Sequence, residues 1–458
     1  VIRSFIVVLL VGAAHAAAQS PYTLTEFLRE VEVSHPSLRS AAFEPELAQA
    51  EIRSALGRFD PTLDASVMYK DKDGADKLYT IDGKVELPLD MMFGPKVKAE
   101  YQRGLGFSVN PETSTSLPGQ AALGVSLPLF QGIMTDARRN QLRRAELRPD
   151  LAQATYLQER NNVLRAAATR YWDWAEALSL VEVADSMVAL AEQRADFVAR
   201  RIKAGEAPAV DSIEIMQEVF RRRGERFRDI RVAEQAAVDL AAFLFTAEGL
   251  PRQIIGVPER PPVLADVIRL QQQVQGAGSR DTLAGKRPEV KRTDVLLSLT
   301  RVDLRLADEF LRPFVEFEAG LAAYDVSKAS SLDYKVGLAV KQPLLFRTAS
   351  AGAEMAEITV QRAQWQRVLV QRLTVADIEK AEVAVQRSLQ QLREATIETS
   401  YAQQMLTAEM DRFRAGESAL LTVNLRERFL AEAQRRLVSA RSDCARSYVL
   451  WQWATASF

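Results

Sequence analysis

The chain is written twice. Pro36 and Pro61 stand 25 residues apart, as do Pro288 and Pro313, and each pair brackets a helical run. Leu127-Pro128-Leu129-Phe130 is echoed by Gln342-Pro343-Leu344-Leu345-Phe346, and Ala204-Gly205-Glu206 by Ala415-Gly416-Glu417. The gap from Pro128 to Gly205 is 77 residues and that from Pro343 to Gly416 is 73. Periods this long exceed those of solenoid repeats. Each copy, read as helix, strands, long helix, turn, helix, must therefore be half of one architecture.

The first segment reads as a secretory leader over residues 1–18. Arg3 precedes the apolar run 5–11, small residues continue through Ala18, and cleavage after Ala16 or Ala18 fits the pattern. No later stretch offers the roughly 20 uncharged apolar residues of a membrane-spanning helix, so none is expected in the mature chain. Cys444 is the only cysteine, which leaves no lipid-carrying cysteine after the leader and no disulfide within one chain. Of two histidines, His15 leaves with the leader and His35, before a proline, reads as a surface residue. That is too little material for a metal site or a histidine-dependent triad. Zinc-protease, phosphate-loop and nucleophile-elbow motifs are missing, and a net charge of −1 gives no hint of nucleic acid. The expectation is a non-enzyme with no catalytic, cofactor-binding or metal-ligating residue.

Between Pro61 and Phe130 the pattern has period two. Leu63, Ala65, Val67 and Tyr69 alternate with Thr62, Asp64, Ser66 and Met68. Tyr79, Ile81, Gly83, Val85, Leu87 and Leu89 alternate with Thr80, Asp82, Lys84 and Glu86. Val97, Ala99 and Tyr101, then Leu123, Val125, Leu127 and Leu129, continue it. In the second half Val315, Phe317, Ala319 and Leu321 face away from Glu316 and Glu318, and Tyr334, Val336, Leu338 and Val340 from Lys335 and Lys341. Strands of about 9 to 11 residues with one apolar and one charged face suit a membrane barrel with a wet lumen. Tyr69, Tyr79, Tyr101, Phe107, Phe130, Tyr324, Tyr334 and Phe346 would supply interfacial aromatics. Alternation alone leaves open a soluble antiparallel sheet with one solvated face.

The rest is helix with coiled-coil spacing. Ala167, Tyr171, Trp174, Leu178, Val181, Ala184, Val188, Ala191, Ala195, Val198 and Ile202 recur at steps of three and four. One helix is predicted from about Gly132 to Lys203, and its counterpart from about Ala349 to Phe413. Shorter helices are predicted near Thr23 to Leu56, Val210 to Phe245, Val290 to Leu311 and Ser418 to Ala454. A helix of roughly 70 residues would reach about 110 Å, which no compact domain needs. In each half a long helix leaves the strands, turns at Gly205 or Gly416 and returns halfway. The halves are 19–250, with strands in 62–130, and 287–458, with strands in 313–346. The proline- and glycine-rich stretch 251–286 reads as the connector. So few strands cannot close a barrel alone, because an open edge in lipid leaves backbone groups unpaired. Several chains must share one barrel.

These features resemble the TolC family of outer-membrane efflux and secretion ducts. The carriers are Phe59-Asp60-Pro61, Leu127-Pro128-Leu129-Phe130-Gln131-Gly132 with its second copy at Gln342 to Phe346, and the turns Lys203-Ala204-Gly205-Glu206 and Arg414-Ala415-Gly416-Glu417. The resemblance covers the whole mature chain. It implies a mainly α chain with membrane β, a homotrimer in outer-membrane lipid, and a shared β-barrel continuous with a long periplasmic α-helical coiled-coil barrel. It also implies an adaptor protein and an inner-membrane pump as partners, in a tripartite efflux pump or a type I secretion system. The duct would be passive, without chemistry of its own.

The second half holds two strand-like segments, and two per half in three chains would give the family's twelve-stranded barrel. The first half holds four, so its additional hairpin either extends outside the membrane or enlarges the barrel. At the steps after the turns where family members often place acids, Thr422 and Leu425 stand in the second half and Asp211 and Glu214 in the first. An acidic periplasmic mouth is thus open only for the first half, and ordinary first-turn acids on a solvated face explain the pair as well. Gly205, Glu206, Gly416 and Glu417 are the expected adaptor-contact turns, although glycine also closes helices for purely structural reasons. Glu316, Glu318, Lys335 and Lys341 are expected to face the lumen. Pro61, Pro128, Pro313 and Pro343 read as strand-helix junctions, where a missing N–H is tolerated. Trp172, Trp174, Trp451 and Trp453 read as packing residues. The alternative class is a soluble periplasmic coiled-coil scaffold or adaptor with a β domain. Drugs, metals, lipids and unfolded protein all remain open as cargo.

Overall fold

Period-two and period-three-to-four stretches fold as their patterns require. The structure, a computed structural model, describes residues 21–72, 76–106, 115–206, 208–254, 256–328 and 333–458; the leader 1–18, Phe107 and Ala207 lie outside the described residues. Along the chain run α1 (Leu24–Ser34), α2 (Pro36–Ala41), α3 (Glu44–Leu56), β1 (Thr62–Lys72), β2 (Asp76–Pro88), β3 (Lys96–Gly106), β4 (Gln120–Pro128), α4 (Ala137–Glu146), α5 (Arg148–Lys203) and α6 (Val210–Ala241). Then follow α7 (Leu264–Gln275), α8 (Arg280–Lys286), α9 (Pro288–Glu309), β5 (Phe314–Ala323), β6 (Asp333–Lys341), α10 (Arg347–Arg414) and α11 (Leu420–Thr455). Two compact units result. One comprises residues 40–158 and 281–376, and the other 1–39, 159–280 and 377–458.

The strand unit carries one six-stranded antiparallel sheet in the order β1-β2-β3-β4-β5-β6. Register fixes its two faces. Leu63 opposes Val85, Val85 opposes Ala99, Ala99 opposes Leu123, Leu123 opposes Leu321 and Leu321 opposes Tyr334, so one apolar row crosses every strand. The next row starts Asp64, Lys84, Glu100 and points to the other face. Gly124 and Gly320 are direct partners. A Cβ on Gly320 would come within 2.7 Å of the Leu123 carbonyl oxygen and 2.8 Å of the Gly124 Cα, so this crossing needs glycine.

Two of the expected unbroken helices are broken, at three places in all, each beside a proline. Residues 132–203 form two helices: Asp136 caps α4 by accepting from the Arg138 and Arg139 amides at 2.8 and 3.0 Å. The chain then interrupts at Leu147, because Pro149 in the first turn of α5 cannot donate to the preceding turn. Residues 23–56 form three helices. Pro36 forces His35 into extended backbone (φ −66°, ψ 125°), and Pro45 restarts the helix as α3. His35 is also not the free surface residue its setting suggested. It is half-buried, with its ring 5.9 Å from Phe243 and 5.7 Å from Phe245.

In the helical unit the long helices pack through the alanine-rich seam. None of its eleven predicted positions is exposed, and Ala167, Tyr171 and Ala191 are fully buried. Phe27 stacks on Tyr171 at 5.8 Å, and the Tyr171 hydroxyl donates to the Tyr22 carbonyl at 2.6 Å while accepting from the Glu259 amide at 2.9 Å. Trp172, Trp174 and Trp451 are buried, and the Trp453 indole donates to Asn162 at 2.9 Å. The stretch 251–286 contains α7, whose Val267 packs with Leu389, Leu392, Ala440 and Cys444. Its periodicity was hidden by the flanking prolines and glycines.

Candidate functional site

Two helix-ending turns in the helical unit share one construction. At the end of α5, the Gly205 amide donates to Ile202 at 3.0 Å and the Glu206 amide to Arg201 at 2.9 Å, with Gly205 at φ +74°. At the end of α10, Gly416 (φ +81°) donates to Phe413 at 3.1 Å and Glu417 to Arg412 at 2.9 Å. Left-handed glycine lets the orphan carbonyls of each helix end find donors. A Cβ at either glycine would meet no atom within 4 Å, so backbone angle and not space selects glycine. Both turns belong to one cluster. Phe197 lies edge-on to Phe413 at 6.0 Å, Arg201 sits 5.6 Å over the same ring, and Met187, Val198, Ile215, Leu420 and Val423 fill the core beneath.

Behind the turns, α6 and α11 are tied by a ladder of charged and polar side chains. Glu214 accepts from Asn424 at 2.7 Å, Glu218 from Arg428 at 3.1 Å, and Asp229 from Arg435 at 2.5 and 3.1 Å. Glu218 is 3 % exposed and also accepts from Arg221 and, at 2.9 Å, from Arg222. Burial pushes its carboxyl up, but the Arg221 and Arg428 hydrogen bonds and the Arg222 charge outweigh this and hold it at about 2. Next to it Arg194 of α5 meets Glu427 of α11 at 2.6 Å, each side chain 2 % exposed. Burial works against both charges, raising Glu427 and lowering Arg194, while each partner's charge opposes the shift.

Of the residues singled out by sequence, Glu214 sits in this ladder and Asp211 is half-buried in the first turn of α6. Glu206 lies beside Arg201 at 3.6 Å. Arg194, Glu218, Arg222 and Glu427 were not anticipated. The signal was present, since Arg194 stands three after Ala191 and four before Val198 on the apolar seam.

In the strand unit, Glu316, Glu318, Lys335 and Lys341 share the polar face, and Lys98 pairs with Glu318 at 3.4 Å. Pro61 precedes β1, Pro313 precedes β5, Pro128 ends β4 and Pro343 follows β6. The β4 and β5 ends are bonded there, Leu129 donating to Val315 at 2.8 Å and Gln131 to Pro313 at 3.1 Å. Tyr69, Tyr79, Tyr101, Phe130, Tyr324, Tyr334 and Phe346 are all exposed. So are Leu63, Val67, Val85, Leu123, Leu321, Val336, Leu338 and Val340, which gives the sheet an apolar outer face.

Residues 27–244 and 280–449 match the family described as Outer membrane efflux protein. Curated proteins give no match by sequence. Among solved structures, VceC, an outer membrane protein of Vibrio cholerae, is 16 % identical with a TM-score of 0.65, over 94 % of this chain and 95 % of VceC. The open state of the MtrE outer membrane channel of Neisseria gonorrhoeae is 14 % identical with a TM-score of 0.65, over 94 % and 88 %. The outer-membrane channel OprN is 14 % identical with a TM-score of 0.64, over 95 % and 90 %. At these identities the structures speak for the fold.

Proposed function

Since the chain belongs to the outer membrane efflux protein family, we propose that three copies close one β-barrel and one helical duct that takes cargo from an inner-membrane pump and a periplasmic adaptor to the exterior. The protein is an outer-membrane efflux channel with a periplasmic extension. The observation that carries the trimer is the sheet, whose apolar face spans six strands while β1 and β6 each keep an unpaired edge. Lipid offers no partners for such edges, so copies must pair them. Helical surfaces agree with this. Met355, Ile358, Trp365, Leu369 and Leu373 form an exposed stripe on α10, and Ile213, Phe220 and Phe227 recur every seventh residue on α6. Stripes of this kind are interfaces in waiting.

Glu316, Glu318, Lys335 and Lys341 then line the wet lumen, and both signs of charge there favour conduction over strong selection. The turns at Gly205 and Gly416 present Glu206 and Glu417 to the adaptor, while Asp211 and Glu214 stand near the periplasmic mouth. A soluble scaffold is not favoured, because it would leave the whole apolar face of the sheet in water. Membrane fractionation and native mass of detergent-extracted protein test the reading. We expect outer-membrane material of three chains, with a heat-resistant band before boiling; a monomer in the soluble periplasmic fraction refutes it.

A further inference from the structure

We propose that all six strands are wall strands, so that the trimer closes an eighteen-stranded barrel in which β6 of each copy pairs with β1 of the next. This rests on the trimer reading above. It replaces the twelve strands the family resemblance implies, and because barrel diameter grows roughly linearly with strand number, the exit is about one and a half times as wide.

Three observations place the β2-β3 hairpin in the wall. First, its faces alternate in phase with the rest of the sheet. The row Leu63, Val85, Ala99, Leu123, Leu321, Tyr334 passes through β2 and β3 without a break, as does the row Leu87, Val97, Val125, Ala319, Val336. Lys84, Glu86, Lys96, Lys98 and Glu100 sit on the opposite face, with Lys96 3.1 Å from Glu86. A hairpin standing in water has no use for one apolar face. Among the described residues of that face in β2 and β3, the charges are Arg103 and, at the strand end opposite Asp71 of β1, Lys77.

Second, the hairpin turns at the foot of the sheet. Residues 89–95 join β2 to β3 beside the prolines that end the other strands. Phe93 donates to the Ile133 carbonyl at 3.4 Å, and Arg139 of α4 donates to the carbonyls of Met91 at 3.3 Å and Ile133 at 3.2 Å. An extension beyond the membrane would rise from the other end, where β3 runs toward β4 and β5 toward β6. Third, six is even. β1 and β6 therefore run in opposite directions, and the edge of one copy meets the edge of the next antiparallel, as every pair within the sheet does. The edges are 11 and 9 residues long, and from Leu63 to Tyr69 and from Tyr334 to Val340 their shared apolar face carries none of the charges or prolines that blunt an exposed edge, with Asp71 standing only at the far end of β1. On the polar face Asp64 of β1 complements Lys335 and Lys341 of β6.

The test uses full-length protein in lipid vesicles, with Cys444→Ala as background and single cysteines spin-labelled at Val85, Ala99, Leu123, Lys84 or Glu100. We expect Val85 and Ala99 to favour collision with oxygen as strongly as Leu123 does, and Lys84 and Glu100 to favour a water-soluble nickel chelate. Cysteines at Leu63, Ala65 or Val67, combined one at a time with cysteines at Val336, Leu338 or Val340, should cross-link between copies at one register. Native mass supplies the copy number. Nickel preference at Val85 and Ala99 beside oxygen preference at Leu123 puts the hairpin outside the wall and overturns the eighteen strands, with a three-chain mass unaffected. Oxygen preference at both with a mass other than three chains overturns the trimer and the count together. If Val85→Cys fails to reach the membrane, Ile81, on the same face, takes its place.

Discussion

Glu218→Gln removes the charge on which three arginines converge. The carboxyl ordinarily titrates near 4.5 and is held at about 2, a difference worth about 3 kcal/mol of stability. A second route gives a similar figure, because deleting one partner of a buried ion pair costs about 3 to 5 kcal/mol. Here Arg222, 5 % exposed, keeps, among the described residues, only Glu225 at 3.7 Å as a carboxylate contact. Since the folded value is depressed, the stabilisation is complete above about pH 4.5 and is lost as pH falls through about 2. Hydrogen exchange of the α6 and α11 amides around Glu218 and Arg428 reads it directly. At pH 7 the variant should open roughly three-hundredfold more often than the native chain. At pH 3 the ratio should shrink to about tenfold, because the native carboxylate has by then lost more than half of its advantage. Equal exchange at pH 7, or a ratio independent of pH, refutes the idea that this carboxylate holds the two helices together.

Gly205→Ala and Gly416→Ala should each destabilise by about 1 kcal/mol through backbone angle alone, so thermal melts should show small, similar and additive losses with trimers intact. Gly320→Ala should be worse than either, by about 1 to 3 kcal/mol, because its Cβ meets backbone and not space; normal yield of heat-resistant trimer would contradict this. Glu206→Lys combined with Glu417→Lys should abolish efflux while trimers reach the outer membrane in normal amount, and full transport with unchanged adaptor cross-linking would move the contact elsewhere on the wall.

The strands were legible because a one-residue period error would put Lys84 or Glu100 among Val85 and Ala99, and the exceptions, such as Asp71 and Lys77, fall at strand ends. The paired glycine turns were legible from their repetition. The helix interruptions at His35 and Leu147 were written in Pro36 and Pro149, yet the helix-forming stretches on both sides of each proline carried the stronger signal. Connectivity of the hairpin was not legible at all, since alternation gives each strand its faces but not its neighbours. The buried charges escaped for a different reason. On a helix an arginine or glutamate reads as solvated, and only its position on the seam, as with Arg194 between Ala191 and Val198, argues otherwise.

That position bears on why charges are there. A seam of alanines offers small, similar knobs, so neighbouring helices could slide by a turn with little change in packing. Arg194 and Glu427 cannot slide, because a shift by one turn would leave both buried without a partner. The pair therefore fixes register at some cost in stability, and a double-mutant cycle separates the two effects. Arg194→Leu or Glu427→Leu alone should lower stability by about 3 to 5 kcal/mol, whereas the double replacement should return to within about 1 kcal/mol of the native protein or exceed it. If the losses of the two single variants simply add in thermal unfolding of the helical unit, the charges are not coupled. Register would then be set by the aromatic contact of Phe197 with Phe413 at the turns instead.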